Sequence, residues 1–255
     1  MKKTFEKNTF GKRLSGMLAV DFQRMFTMRN FYILLGTAFA IPVLVLVMTS
    51  SFGGGESAGM FTSVWQAIGS VSGGGMVMDI TSMCNMNMMF FLAAVLVCLF
   101  VTGDFTSGYC KNLFAVRAKK SDYVISKSIV CLTAAALLLL GYFVGAVLGG
   151  AIAGLPFTMS GFTVANLVMS VLAKMALMGA FVGIYLMTSV IAKEKTWLAM
   201  VLSFGVGMFM FNIIPMVTPL DATVLHVVLC IAGGVMLCAG TGAVSNFVLK
   251  KTDLI

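Results

Sequence analysis

Six long apolar runs constrain this chain more than any other feature of its sequence. They occupy residues 31–51, 86–103, 128–155, 167–192, 197–214 and 223–249, and none of them contains an Asp or a Glu. The hydrocarbon core of a bilayer needs about 20 apolar residues per helical crossing. Only 10% of the 255 residues are charged, against about 25% in a typical soluble domain. The sequence therefore predicts an all-α polytopic membrane protein with six transmembrane helices.

The basic residues lie in alternate loops. All but one of the 17 Lys and Arg residues precede the first run, separate the second from the third or the fourth from the fifth, or follow the sixth. The opposite loops hold Glu56, Asp79 and Asp221 and no basic residue. Because Lys and Arg accumulate in cytoplasmic loops, both termini are predicted to be cytoplasmic. The net charge of +8 thus indicates topology, and we expect no nucleic-acid partner.

Three regions follow from this layout: a cytoplasmic amphipathic lead-in over 1–30, a six-span domain over 31–249 and a cytoplasmic tail over 250–255. Apolar residues recur at helical spacing in the lead-in, namely Leu14, Met17, Leu18, Phe22, Met25 and Phe26. Such a helix is expected at the inner interface, with its basic residues at lipid headgroups. A passive lipid anchor and a mechanical role are both open. In the long outer loop, the spacing of Phe61, Val64, Trp65 and Ile68 predicts a short interfacial helix anchored by Trp65.

The inner loop over 104–123 is about twenty residues long and mixes aromatic with charged side chains. Phe105, Tyr109, Leu113 and Phe114 are predicted to share one face of a short helix. Exposed aromatic residues ringed by charge are typical of a docking surface. The alternative is a helix that merely rests on lipid.

The local pattern in this loop reads Ser107-Gly108-x-x-Lys111-Asn112-Leu113, followed by Arg117 and then by Ser126-Lys127 at the entrance to the third run. Together with the six runs and the lead-in, it resembles the membrane subunit of a bacterial ABC type 2 exporter whose ATPase is a separate chain. The resemblance implies a plasma-membrane dimer of permeases, or a pair of homologous permeases, bound to two ATPase subunits. ATP and Mg²⁺ would be held by the ATPase, and the lead-in would act as an elbow helix.

By position, the resemblance makes the inner loop a coupling segment that docks on the ATPase. Its residues would be Phe105, Ser107, Gly108, Tyr109, Lys111, Asn112, Leu113, Phe114 and Arg117. The chain itself lacks the phosphate-binding pattern G-x-x-x-x-G-K-[ST], so we expect no enzymatic activity and no cofactor in this subunit. The expected function is export of a hydrophobic or amphipathic substrate such as a peptide, drug or lipid-like molecule.

The spans contain few residues that suggest chemistry. Lys174 is the one basic residue inside a run, expected either to reach the outer surface with its long side chain or to face a cavity beside an anionic group. Lys174, Met86 and Met89 are the candidates for a substrate path. Small residues at four-residue spacing predict close helix packing; these are Gly141, Gly145 and Gly149 in the third run and Gly179 and Gly183 in the fourth.

Two other classes of function are weaker predictions. An ion-coupled secondary transporter usually has ionisable residues or broken helices near the midplane, and the absence of carboxylates from the runs disfavours proton coupling. Sodium coupling through backbone carbonyl oxygens stays an alternative. A membrane enzyme is the least favoured reading, because no cluster of His, Asp and Glu suits acid–base or metal chemistry. We also expect no metal site, since the six cysteines show no ligand spacing.

Overall fold

The computed structural model of the protein describes residues 10–52, 63–69, 85–115, 119–211 and 213–251. Most of these residues are helical, and no strand occurs among them, which confirms the all-α prediction. The helices are α1 (Phe10–Thr27), α2 (Arg29–Phe52), α3 (Val64–Ile68), α4 (Met89–Thr106), α5 (Tyr109–Ala115), α6 (Lys120–Ile152), α7 (Val164–Ala192), α8 (Thr196–Phe211), α9 (Ile214–Val217) and α10 (Val224–Lys251), and a 3₁₀ turn over Met86–Met88 precedes α4.

Five of these helices, α2, α4, α6, α7 and α10, are long and apolar enough to cross a membrane. The fifth apolar run, over 197–214, forms α8, which is shorter at 16 residues. Side chains in all of these helices are predominantly apolar, and many remain exposed where lipid would cover them. The coarse prediction of a multi-pass membrane protein therefore agrees with the structure.

Hydrogen bonds between helix termini show which termini lie at the same end of the bundle. At the first, Thr102 of α4 bonds to Thr196 at the start of α8, and Lys120 of α6 bonds to the carbonyl of Leu249 in α10. Every described Lys and Arg except Lys174 belongs to the segments at this end, which we call the basic end. At the opposite end, Asn166 of α7 donates a hydrogen bond to the carbonyl of Asp221, just before α10.

Helices α2 and α6 run in the same direction and pack closely. A methyl group added at Gly145 would meet the carbonyl oxygen of Phe39, and one added at Gly149 would lie 2.7 Å from Cα of Val43. Gly141 faces the side chain of Leu35 in the same way, at 3.0 Å from Cδ1. The three glycines thus let the two backbones approach, as small residues at four-residue spacing do in membrane helices.

A second parallel pair is formed by α7 and α10. A methyl group at Gly183 would lie 3.0 Å from Cα of Cys238, and one at Gly234 would lie 2.6 Å from the carbonyl oxygen of Ala176. Gly179 does not make the close helix contact that its spacing predicted, because a methyl group added there would have only Leu132 nearby, at 4.0 Å. Gly179 lines an open groove instead of a tight helix contact.

The short helix α3 packs on protein at the opposite end. The indole nitrogen of Trp65 donates to the carbonyl of Phe157 at 3.1 Å, and its ring contacts Phe143 and Phe157. Only 7% of Trp65 is exposed, so its predicted role as a membrane anchor is wrong. The glycine-rich segments on either side of this helix, at 53–55 and 73–75, lie outside the described residues.

Candidate functional site

Four ionised side chains meet inside the protein at the basic end. Lys127 Nζ lies 2.8 Å from Asp21 Oδ1 and 2.7 Å from Asp104 Oδ2. Arg24 Nη2 lies 2.6 Å from Asp104 Oδ1, and its Nη1 lies 3.9 Å from Asp21 Oδ1. Asp21, Asp104 and Lys127 are fully buried. We call these four residues the charge cluster; its two positive and two negative charges balance.

Polar and aromatic neighbours complete the charge cluster. Ser126 Oγ donates to Asp21 at 2.6 Å, and the hydroxyl of Tyr123 donates to Asp104 at 3.0 Å. Nζ of Lys127 lies 3.9 Å from the ring centre of Phe100, and the guanidinium carbon of Arg24 lies 3.9 Å from that of Tyr109. Buried ions are tolerated only when partners satisfy them in this way. The charge cluster therefore ties α1, α4, α5 and α6 together.

The local sequence explains why these groups meet at one level. Asp104 is the first residue after an apolar run, and Lys127 is the last residue before the next one. Both helices cross the bundle, so these two positions come to the same end. Asp21 and Arg24 are three residues apart on α1, and this spacing puts them on one face of a helix. The ends of the apolar runs therefore determine where Asp104 and Lys127 lie along the bundle axis. Helix α1 supplies the other two charged residues, Asp21 and Arg24.

The lead-in helix α1 has an apolar stripe, and it also packs against α6. Met25 is buried, and Leu14, Leu18 and Phe22 are half-buried. Arg13 bonds to Asp122 of α6 at 3.1 Å, and Arg24 bonds to Asp104. The sequence analysis assigned these two arginines to lipid headgroups, whereas their partners in the structure are carboxylates of the protein, and about a third of each side chain stays exposed.

The short helix α5 lies between α4 and α6, outside the candidate spans. Phe105, just before it, is 4% exposed, and Phe114 is 8% exposed with its ring against Tyr123. The expectation that these aromatic residues are exposed is therefore wrong. Tyr109 and Leu113 are half-buried, and burial raises the pKa of the Tyr109 phenol.

The exposed face of α5 and of the turn before it is polar. It presents Ser107, Lys111 and Asn112, with half-buried Gly108 at φ 73° in the turn. A positive φ of this size favours glycine. Arg117 lies outside the described residues. The segment is thus an anchored helix with a small polar outer face, in place of the aromatic face predicted from the sequence.

The anchoring of α5 predicts an unreactive thiol at Cys110. Its side chain is fully buried and contacts the hydroxyl of Tyr123, and burial raises the pKa of the thiol to about 12. Because the thiolate is the reactive form, maleimide at pH 8 should label Cys110 at least about 100-fold more slowly than the exposed site in the variant Ser107→Cys. Peptide mass spectrometry of each cysteine measures both rates. Equal rates would mean that α5 detaches from the bundle.

Lys174 lies in the opposite half of the bundle and is only 2% exposed. Its Nζ donates to Asn87 Oδ1 at 2.8 Å, to the carbonyl of Thr218 at 2.8 Å and to Thr218 Oγ1 at 2.7 Å. An ammonium group has three N–H donors, and neutral oxygens satisfy all three. The side chain does not reach the outer surface, and its partners among the described residues are neutral oxygens, where the sequence analysis expected an anionic group. The neighbouring candidates Met86 and Met89 are buried in the core.

The sequence analysis did not predict the charge cluster, because it placed the charged residues in loops and at lipid headgroups. The signal that could have found it is the pair Asp104 and Lys127, which are opposite in sign and flank two apolar runs at the same end. Among the described residues, no group of three or more His, Cys, Asp and Glu could hold a metal ion. Comparisons with protein-family models, curated proteins and solved structures found no match.

Proposed function

We propose that this chain is the membrane subunit of an ATP-driven exporter of the ABC type 2 class, with its ATPase on a separate chain. One observation carries the proposal. A short helix outside the spans, α5, has an exposed polar face and a buried face fixed to the charge cluster and to α6. A helix of this kind suits a surface that receives a push from a partner and passes it on to the membrane helices.

The proposed topology has six crossings and both termini in the cytoplasm. Thr196, at the start of α8, bonds to Thr102 at the basic end, whereas Thr218, beyond α8, bonds to Lys174 in the opposite half. This arrangement supports an additional crossing between these two residues. The 16 residues of α8 rise about 24 Å, most of a hydrocarbon core. The basic end would face the cytoplasm of a bacterial plasma membrane.

The proposed mechanism transmits movement through contacts within the chain. The partner would dock on Lys111 and Asn112, and α5 would carry the displacement to α6 through the ring contact of Phe114 with Tyr123. Tyr109 would carry it to Arg24 of α1 and hence to the charge cluster. Because α2 and α6 are closely packed, they would shift as a pair. ATP hydrolysis with Mg²⁺ in the partner supplies the free energy, and this chain binds neither.

Co-purification tests the docking helix. Tagged protein is extracted from its native membranes in mild detergent, and mass spectrometry identifies co-purifying subunits. We expect an ATPase with a phosphate-binding loop at about one copy per permease. Lys111→Glu should reduce its recovery at least about tenfold, because it reverses charge on the exposed face of α5 without disturbing the buried face. Lys250→Glu is the matched control, since Lys250 is also exposed at the basic end but lies on α10.

Two results would contradict the exporter proposal. The first is the absence of any ATPase both after extraction and after crosslinking in intact membranes. The second is equal loss of the ATPase in Lys111→Glu and Lys250→Glu, which would show that α5 has no special part in docking. Exposed residues are the right targets here, because aspartate at Phe105 or Phe114 would disrupt buried packing.

An ion-coupled secondary transporter is a second candidate, favoured by Lys174. Ionisable groups buried among membrane helices commonly mark ion or substrate pathways, and the charge cluster provides no partner for this one. Transport in energised membrane vesicles distinguishes the candidates. Loss of transport after ATP depletion at constant ion gradients favours the exporter, whereas loss after collapse of the ion gradients with ATP present favours the secondary transporter.

A further inference from the structure

An open groove lies between α6, α7 and α10. It has a volume of about 650 Å³ and is lined almost wholly by apolar and small side chains. Glycines create the space: a methyl group at Gly242 would lie 3.6 Å from Val124, and one at Gly179 would lie 4.0 Å from Leu132. The groove therefore exists because α10 packs tightly on α7 but leaves a gap beside α6.

The groove runs from the basic end into the interior of the bundle. It begins at Ser121 and Asn246 at the basic end and reaches Leu132 on α6 and Ile231 on α10. The eleven steps from Ser121 to Leu132 on α6 rise about 16 Å, and the fifteen steps from Asn246 to Ile231 on α10 rise about 22 Å, between half and three quarters of the roughly 30 Å hydrocarbon core. A ligand that fills the groove would thus extend from the basic end into the middle of the bundle.

The mouth of the groove is polar and positively charged. Ser121 and Asn246 line it, and four lysines belong to the helix ends that form it, namely Lys119, Lys120, Lys250 and Lys251. The carboxylate of Asp122, next to Ser121 in the sequence, is 2% exposed and is paired with Arg13. The N-terminus of α6 also favours negative charge.

We propose that this groove binds one anionic phospholipid, with an acyl chain between α6 and α10 and the phosphate among the lysines at the mouth. Basic pockets between membrane helices on the cytoplasmic side are known to select acidic lipid headgroups. The apolar length matches one acyl chain, and the charge matches the headgroup. The proposal is independent of the exporter assignment, since it rests on the groove alone.

The test uses delipidated full-length protein in a neutral detergent. Phosphatidylglycerol or phosphatidylcholine is added, and native mass spectrometry counts bound lipids and protein copies. We expect one retained phosphatidylglycerol per chain, bound at least about tenfold more tightly than phosphatidylcholine. Gly242→Leu should fill the groove and abolish this binding. Gly240→Leu is the matched control on the same helix, because Gly240 faces open space and does not line the groove.

A second variant keeps the proposal testable if Gly242→Leu fails to fold. Replacing Lys119, Lys250 and Lys251 together by Gln should weaken phosphatidylglycerol binding at least about tenfold, because each lysine near a membrane surface contributes about fivefold. The control replaces exposed Lys111, Lys193 and Lys195 by Gln. Equal binding of the two lipids, or retention of phosphatidylglycerol by Gly242→Leu, would overturn the proposal. So would a Gly242→Leu variant that binds lipid normally but loses self-association, since a second copy would then occupy the groove.

Discussion

Lys127→Met should lower the free energy of unfolding by about 3–5 kcal/mol, the usual cost of removing one partner from a buried ion pair. Lys127 is fully buried and bonds to both Asp21 and Asp104. Its loss would leave two buried carboxylates with Arg24 as the one positively charged residue of the charge cluster. The methionine side chain has nearly the same length, so packing changes little and the electrostatic change dominates.

Thermal or denaturant unfolding in detergent measures this effect, with the fluorescence of Trp65 and Trp197 as the signal. Lys111→Met is the matched control; Lys111 is exposed on α5, and surface substitutions usually change stability by less than about 0.5 kcal/mol. The double variant Asp21→Asn with Lys127→Met restores charge balance and should be more stable than Lys127→Met alone. Equal stability of Lys127→Met and Lys111→Met would mean that the charge cluster is not formed.

Gly145→Ala should destabilise the protein by about 1–3 kcal/mol, the typical range for overpacking a well-packed core. The added methyl group would meet the carbonyl oxygen of Phe39, which is backbone and cannot rotate away. The α2–α6 pair would have to separate along its whole contact, because Gly141 and Gly149 belong to the same face.

Gly179→Ala is the matched control for this prediction. Both glycines lie inside long helices, so alanine improves helix propensity by a similar amount of about 1 kcal/mol at each site. The difference between the variants then reports the contact with α2 alone, since Gly179 has only Leu132 nearby at 4.0 Å. Unfolding midpoints of the purified variants give the comparison. If Gly145→Ala proved as stable as Gly179→Ala, the α2–α6 contact would be looser than described.

Hydropathy predicted most of the fold because burial in lipid imposes one rule on every span. The predicted run 167–192 corresponds to α7 (Val164–Ala192), and the run 223–249 corresponds to α10 (Val224–Lys251). The run 128–155 predicted the start of its helix less well, since α6 begins eight residues earlier, at Lys120. Those eight residues include Asp122 and Lys127, whose charges are neutralised by α1. A hydropathy pattern contains no information about such tertiary partners.

The candidate site was harder to predict for the same reason. The sequence indicated that α5 would be amphipathic, but it did not show which face would meet the bundle. Phe105 and Phe114 turn inward because Tyr123 and the apolar ends of α4 and α6 offer them a protein surface. Arg24 turns inward because Asp104 is buried within reach. Each of these choices depends on residues about ten to eighty positions away.

The parallel pairing of α2 with α6, and of α7 with α10, restricts the order in which the chain can assemble during synthesis. Two crossings in the same direction must be separated by a crossing in the other direction, so neither α2 nor α7 can find its partner in the next helix made. The glycine face of α6 can contact α2 only after α4 has been inserted. Asp21 of α1 likewise cannot pair with Lys127 until α6 has been made. The surface of α7 around Gly183 stays uncovered until α10 has been synthesised. A chain that stops before residue 223 would therefore remain incomplete, however well its earlier helices had inserted.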